Sequence, residues 1–408
     1  MAAARAQDPT PMEASLLEAA SGRGGDVSSA ARDAFAARGL PHRRIEDWRW
    51  TDLRAVLRDP LVFAGANDVG APAPSTIDAF VVAVRGGEAT WDGEPPAGVT
   101  LTRVAGAAVH DLLAEHPTAI AATALSHAGL AVHIADGVSI DRPIVFDFST
   151  AGAQQHARVL LHVGSGASAS VVERHAASGG AFVNTTLEST VEAGAALERY
   201  VFQEADGASV QCAVAGVALG EGARLRQHLL LTGGKLVRME TRLDYQGAGV
   251  EAEIGGAALI AGGAHADATT WIAHNAPGCR TRQTHRSVVR DRGRSVFQGK
   301  FLVNRAAQQT DADMQAAALL LEDGAEANHK PELEIYADDV ACAHGATAGA
   351  LDAAALFYLR QRGLSAEAAR ALLIEAFVAE AFDGVARDDV AAAYAAGVAA
   401  WLSAGGAA

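Results

Sequence analysis

The chain has little cysteine, a deficit of positive charge and no long apolar run, and each shortage excludes something. Its three cysteines, Cys212, Cys279 and Cys342, stand 67 and 63 residues apart in a sequence of 408. No CxxC pair exists, so a zinc finger or a self-contained cysteine-ligated cluster is excluded. An odd, sparse set also argues against a disulfide framework and fits a reducing compartment, so a cytoplasmic location is expected. There are 33 Lys and Arg against 48 Asp and Glu, a net charge of −15. That balance repels a phosphate backbone, and no nucleic-acid partner is expected. No apolar run approaches the ~20 residues that span a bilayer, so no membrane segment is expected. Residues 1–11 lack the apolar core of a secretory signal.

What is present is a chain rich enough in apolar residues to fold. Hydrophobic residues make up 50% and charged residues 20%, which excludes disorder throughout. The length suits two or three structural units. Residues 12–20 and 28–38 read as helices, the second stopped by Gly39-Leu40-Pro41. A Pro/Gly/Ala linker over 60–74 follows, then β-branched runs at 80–84 and 99–104 around Gly86-Gly87.

The middle of the chain is periodic. Gly137, Gly166, Gly194, Gly222, Gly249 and Gly278 recur at intervals of 29, 28, 28, 27 and 29 residues. Each opens a stretch in which apolar and polar residues tend to alternate, the period of a strand. A fixed period with strands in every repeat means a solenoid or a propeller, and 28 residues are too few for a propeller blade of about 40–50. A parallel β-helix is the architecture that fits. After Thr347 the pattern turns helical: 351–362, a Ser365-capped run over 366–382, and 389–402. In the second run Leu372, Leu373, Ala376, Phe377 and Glu380 are spaced for one helix face. The fold expected is mainly β, a parallel β-helix flanked by helical regions. The boundaries expected are 1–105, 106–346 and 347–408.

Familiar catalytic motifs fail on inspection. Between Gly293 and Gly299-Lys300 lie five residues instead of the four of a phosphate-binding loop, and Phe301 replaces the magnesium-binding Ser or Thr. No ATP site is expected. Nothing matches GxSxG or HExxH. His265, His274 and His285 fit no common metal spacing and read as histidines on the coil surface. The segment that stands out is 330–347, where Leu333 and Ile335 alternate with Glu332, Glu334 and Tyr336. Cys342 and His344, two apart, share one side if the strand continues. Strict alternation puts that side with Glu332 and Glu334, and a bulge near Asp338-Asp339 would reverse it. A thiolate beside an imidazole suits iron or zinc, with further ligands from elsewhere. The alternative is a buried cysteine and a helix-capping histidine.

These residues carry a resemblance. The run KPELEIYADDVACAHGATAGALD (330–352), followed by LFYLRQRGLSAEAARALLIEAFVAE (356–380), resembles the SufB/SufD family of SUF iron–sulfur cluster assembly scaffolds. RIEDWRWTDL (44–53) and ALSHAGLAVHIADGVSIDRPI (124–144) are similar to two further family stretches. The CAHGAT run looks like the SufD branch. The resemblance implies a right-handed β-helix and a non-catalytic subunit. It implies pairing with a SufB-type scaffold through the end of the β-helix, and binding of a SufC-type ATPase through C-terminal helices. It also implies a transient iron–sulfur cluster shared with SufB, with His344 and Cys342 as candidate ligands. Leu356, Phe357, Tyr358, Leu372, Leu373 and Phe377 are the candidate ATPase contacts. A homodimer of the isolated chain is a further expectation. The competing reading is a β-helix enzyme acting on polysaccharide, which needs acidic clusters and a secretory signal.

Overall fold

In the computed structural model the described residues are 8–22, 26–64, 77–85, 88–104, 111–126 and 129–405. Most of the 60–74 linker and the Gly86-Gly87 turn lie outside them. The described chain is mainly β: a parallel solenoid of about 8 turns, flanked by N- and C-terminal helices. Successive strands from Gln154–Val163 to Ala341–Gly349 alternate between a nine-stranded and an eleven-stranded sheet. Each coil therefore contributes one strand to each sheet. In the larger sheet Ser168 pairs with Ala196, Ala196 with Arg224, Arg224 with Glu251, Glu251 with Arg280, Arg280 with Asp311, and Asp311 with Ala341. The hairpin Phe80–Arg85/Glu88–Trp91 and the strand Val99–Val104 close the first end.

The periodic glycines sit at one corner of every coil. Gly166, Gly194, Gly222, Gly249 and Gly278 all have φ between 64° and 68°. Each donates its N–H to the carbonyl just before the equivalent corner residue of the next coil, as Gly166 does to Ala193 and Gly278 to Gln308. A Cβ at any of these glycines would meet nothing within 4 Å. The demand is therefore on backbone conformation, which L-residues adopt at a cost. The next corner is Gln309, with φ 60° and the same bond, to Asp339. The glycine signal stops at Gly278 because a glutamine takes over the same strained geometry.

The lumen is apolar for most of its length, with Val159, Leu187, Val217, Leu243 and Ile272 buried. Several polar exceptions are paired. Arg199 bonds Glu173 of the coil before and Gln227 of the coil after. Burial would raise the Glu173 carboxyl, but Arg199 and His175 outweigh it and hold it at about 2. His274 and His285 also lie inside, contrary to the surface placement expected from sequence. Their strands turn them inward, and burial lowers them to about 4 and about 3. His265 faces outward, towards Thr51.

Helical regions cover opposite outer faces. On the nine-stranded sheet, α1 (Pro11–Ser21), α2 (Asp26–Arg38), α3 (Leu53–Val56) and α4 (Pro117–Leu125) form the N-terminal cover. Met12, Leu16, Phe35, Trp48, Ile120 and Leu125 pack there on Phe182, Val210, Cys212 and Leu236. At the centre lies a buried ion cluster. Arg238 bonds Glu240 at 2.8 Å and Asp267 at 2.6 Å, under the Trp48 ring at 4.2 Å. Thr51 donates to Asp267, and His116 approaches Glu240 at 3.1 Å. Burial would raise the Glu240 carboxyl, but His116, Arg238 and Arg242 hold it well below the usual range. On the eleven-stranded sheet, α5 (Ala353–Gln361), α6 (Ala366–Ala379) and α7 (Asp388–Gly405) follow the last strand. Ile374, Val378, Val390, Tyr394 and Val398 pack on Tyr200, Leu230, Leu259 and Val288. The approach is close enough that a Cβ on Gly255 would stand 2.0 Å from the Ala381 carbonyl.

Replacing Gln309 with glycine relieves its backbone and is expected to stabilise the chain by roughly 1 kcal/mol in urea unfolding. Arg238→Ala strands two buried carboxylates and is expected to cost about 3–5 kcal/mol. Proteolysis within the N-terminal cover would report that loss, and an unchanged cleavage rate would contradict the clamp.

Candidate metal centre and docking surfaces

The solenoid ends on two strands, Glu326–Ile335 and Ala341–Gly349, the outermost of the nine- and eleven-stranded sheets. Among the described residues each pairs on one side only, with Arg294–Val303 and Asp311–Leu320 respectively. Their outer edges carry free backbone donors and acceptors, a template for a further strand. Ile335 and Tyr336 are exposed beside them.

Cys342 and His344 both lie on the second of these strands. Cys342 is in register with Ala312 and His344 with Met314, both buried lumen residues. Cys342 packs with Leu333 against the core, and with Val303, Ala307 and Ala337 at the corner. The chain leaves the strand at Ile335 and turns through 336–340 before re-entering. The reversal replaces the strict alternation expected from sequence: Cys342 shares the side of Leu333, not that of Glu332 and Glu334. Those glutamates face outward, Glu334 to Lys300 at 2.7 Å and Glu332 to Lys330 at 2.9 Å. Cys342 is half-buried, and burial pushes its thiol up. His344 is exposed at the open mouth of the lumen.

Sequence reasoning missed a further candidate on the terminal coil. His329, on the other terminal strand, pairs with the lumen residue Phe297 and sits edge-on to its ring at 6.2 Å. Its Nε2 is buried with no hydrogen-bond partner, and burial lowers its pKa. The signal was its place two and four residues before Pro331 and Leu333, on the inward side. Among the described residues no three His, Cys, Asp or Glu side chains gather as a metal cage. Any ion here takes ligands from a partner, or draws these side chains together.

The helices after the open coil leave apolar surface bare. In α5 no residue is buried; Phe357 and Tyr358 are 65% and 56% exposed, and Leu356 is half-buried. Nine residues with none of them buried form a helix that is marginal in water on its own. The α6 face expected from spacing divides. Ala369, Ile374 and Val378 are buried, while Leu373 and Phe377 are half-buried. Phe377 lies under Arg286 at 5.6 Å. Leu372 stays 45% exposed, with Ala376 and Glu380 also outward. No described helix is long and apolar enough to cross a membrane.

Comparison with known proteins agrees with this architecture. Residues 146–377, more than half of the chain, match the family model described as SUF system FeS cluster assembly, SufBD core domain. The chain is 32% identical over 361 residues to the iron–sulfur cluster assembly protein SufD of Escherichia coli, covering 84% of each. It is 30% identical over 389 residues to a SufBD family iron–sulfur cluster assembly protein of Synechocystis, covering 87% of this chain and 86% of that one. The chain belongs to the SufBD family of SUF iron–sulfur cluster assembly proteins and is of the SufD type.

Proposed function

We propose that this chain is the SufD half of a non-catalytic scaffold, on which an iron–sulfur cluster forms at the junction with a SufB-type subunit. The observation that carries the reading is the unpaired terminal coil. It sets two free sheet edges beside His344 and Cys342. A partner coil that continues both sheets brings its own ligands to the mouth of the lumen. His344 offers a borderline imidazole, and Cys342 a thiol that must lose its proton to bind. The cluster is transient and shared, cargo of the assembly and not a resident group of this chain.

The bare surface of α5 and α6 supports a second contact. Phe357, Tyr358 and Leu372 form its exposed part, bordered by Leu356, Leu373 and Phe377. An apolar helical patch of this kind suits helix-in-groove docking, and the occupant proposed is a SufC-type ATPase. Nucleotide chemistry belongs to that subunit. Its closure would move this helical region, which is anchored on the eleven-stranded sheet through Arg290 and Trp401, 4.0 Å apart. The complex is proposed to work in the cytoplasm.

Anaerobic reconstitution of the co-expressed three-component assembly tests the reading. His344→Ala is expected to assemble normally and lose most of its visible cluster absorption. Phe357→Asp is expected to shed the ATPase on size exclusion and keep the SufB-type partner. Full cluster content in His344→Ala would remove His344 from the site.

A further inference from the structure

At the open end His329 and His344 stand on the two terminal strands, each at a lumen-side register position. One coil below, the inward side chains of Phe297 and Met314 meet across the lumen beside Gly299. A Cβ on that glycine would stand 2.4 Å from Met314 Sδ and 3.0 Å from Phe297 Cζ. Strand register carries this arrangement up one coil. His329 pairs with Phe297, His344 with Met314, and Pro331 with Gly299. His329 and His344 thus occupy facing wall positions, with Cys342 two residues along from His344.

His329 also carries an unmet demand. Its Nε2 is buried without a hydrogen-bond partner, a state that native structures relieve with a water, an ion or a functional role. Burial favours its neutral form, which is the form that ligates a metal. Zinc and ferrous iron accept mixed imidazole and thiolate sets.

We infer that His329 and His344 form a cross-lumen imidazole pair that, with the Cys342 thiolate, binds one divalent cation of borderline softness in this chain alone. This rests on the reading of His344 as a ligand and adds His329 to it. The three donors do not stand at coordination distance without the ion. Exposed His344 is the group free to swing inward. Binding releases the thiol proton to solvent, and water or a partner residue fills the remaining position.

Anaerobic titration of the full-length isolated chain with Co²⁺, read by its visible ligand-field bands, tests this. Wild type should take up one equivalent. His329→Leu and His344→Ala should each weaken binding about tenfold or more, the least that losing even an outer partner of a metal ligand costs. His329→Cys should restore binding with a stronger sulfur-to-cobalt charge-transfer band, which a merely structural His329 would not produce. Wild-type affinity in His329→Leu alongside loss in His344→Ala would overturn the role of His329 and leave His344 a ligand. Unchanged binding in both variants would overturn both assignments. No uptake by wild type would overturn binding by the chain alone. Circular dichroism melts accompany each variant; if His329→Leu unfolds, His329→Cys decides, a missing charge-transfer band overturning the inference.

Discussion

Everything in this molecule depends on the requirement that a β-coil hand its backbone hydrogen bonds to the coils on either side. From Gln154 onward the strands satisfy that requirement in register, each sheet adding one strand per turn. The rule has no solution at the last coil. Strands 326–335 and 341–349 have a neighbour below and none above among the described residues. At the first end a hairpin and an antiparallel strand take the outermost places, and Glu88–Trp91 and Val99–Val104 likewise pair on one side only among the described residues. The two ends differ in form: the first finishes on antiparallel strands, the last on two parallel strands that carry His329, Cys342 and His344.

The flanking regions hold this frame from opposite sides by different physics. On the nine-stranded sheet the N-terminal cover is pinned by buried charge: Arg238 between Glu240 and Asp267, sealed by Trp48. Such a cluster contributes little net energy when whole and costs much when broken, so it fixes position more than it adds stability. It reaches towards the open end, where Gln298 donates to the Asp47 carbonyl and Lys330 meets Glu46. On the eleven-stranded sheet the C-terminal helices are held by apolar packing, and outside that contact the surface carries alternating charge. Arg226 lies 3.7 Å from both Glu198 and Glu253 on neighbouring coils, and Arg282 lies 2.6 Å from Asp311. Exposed pairs like these are individually weak. Neighbouring strands carry opposite signs, Arg224 and Arg226 against Glu251 and Glu253, so a slipped register loses pairs and together they favour the observed alignment.

Much of this was legible before any coordinates. The glycine period exposed the coils because one corner demands a left-handed backbone, and it faded where Gln309 meets the demand without glycine. The second strand of each coil was not legible as a repeat, because the other corner varies, with Gly179-Gly180, Gly262-Gly263 and Asp291-Arg292 at positive φ. Cys342 and His344 were found by spacing and resemblance. Their facing was not, because it depends on the corner at 336–340, whose packing on Val303 and Ala307 is a tertiary fact. His274 and His285 were misplaced because a polar residue at an inward strand position reads as a surface residue until its lumen neighbours are known. The same blindness hid His329.

The claim that the open coil is the working end is tested most directly by amide hydrogen–deuterium exchange, comparing the isolated chain with its complex with the SufB-type partner. Residues 326–335 and 341–349 should exchange rapidly at their outward-facing amides in the isolated chain and become protected in the complex, while the coils between 196 and 289 stay unchanged. Protection appearing elsewhere, with these two strands exchanging as before, would contradict the account.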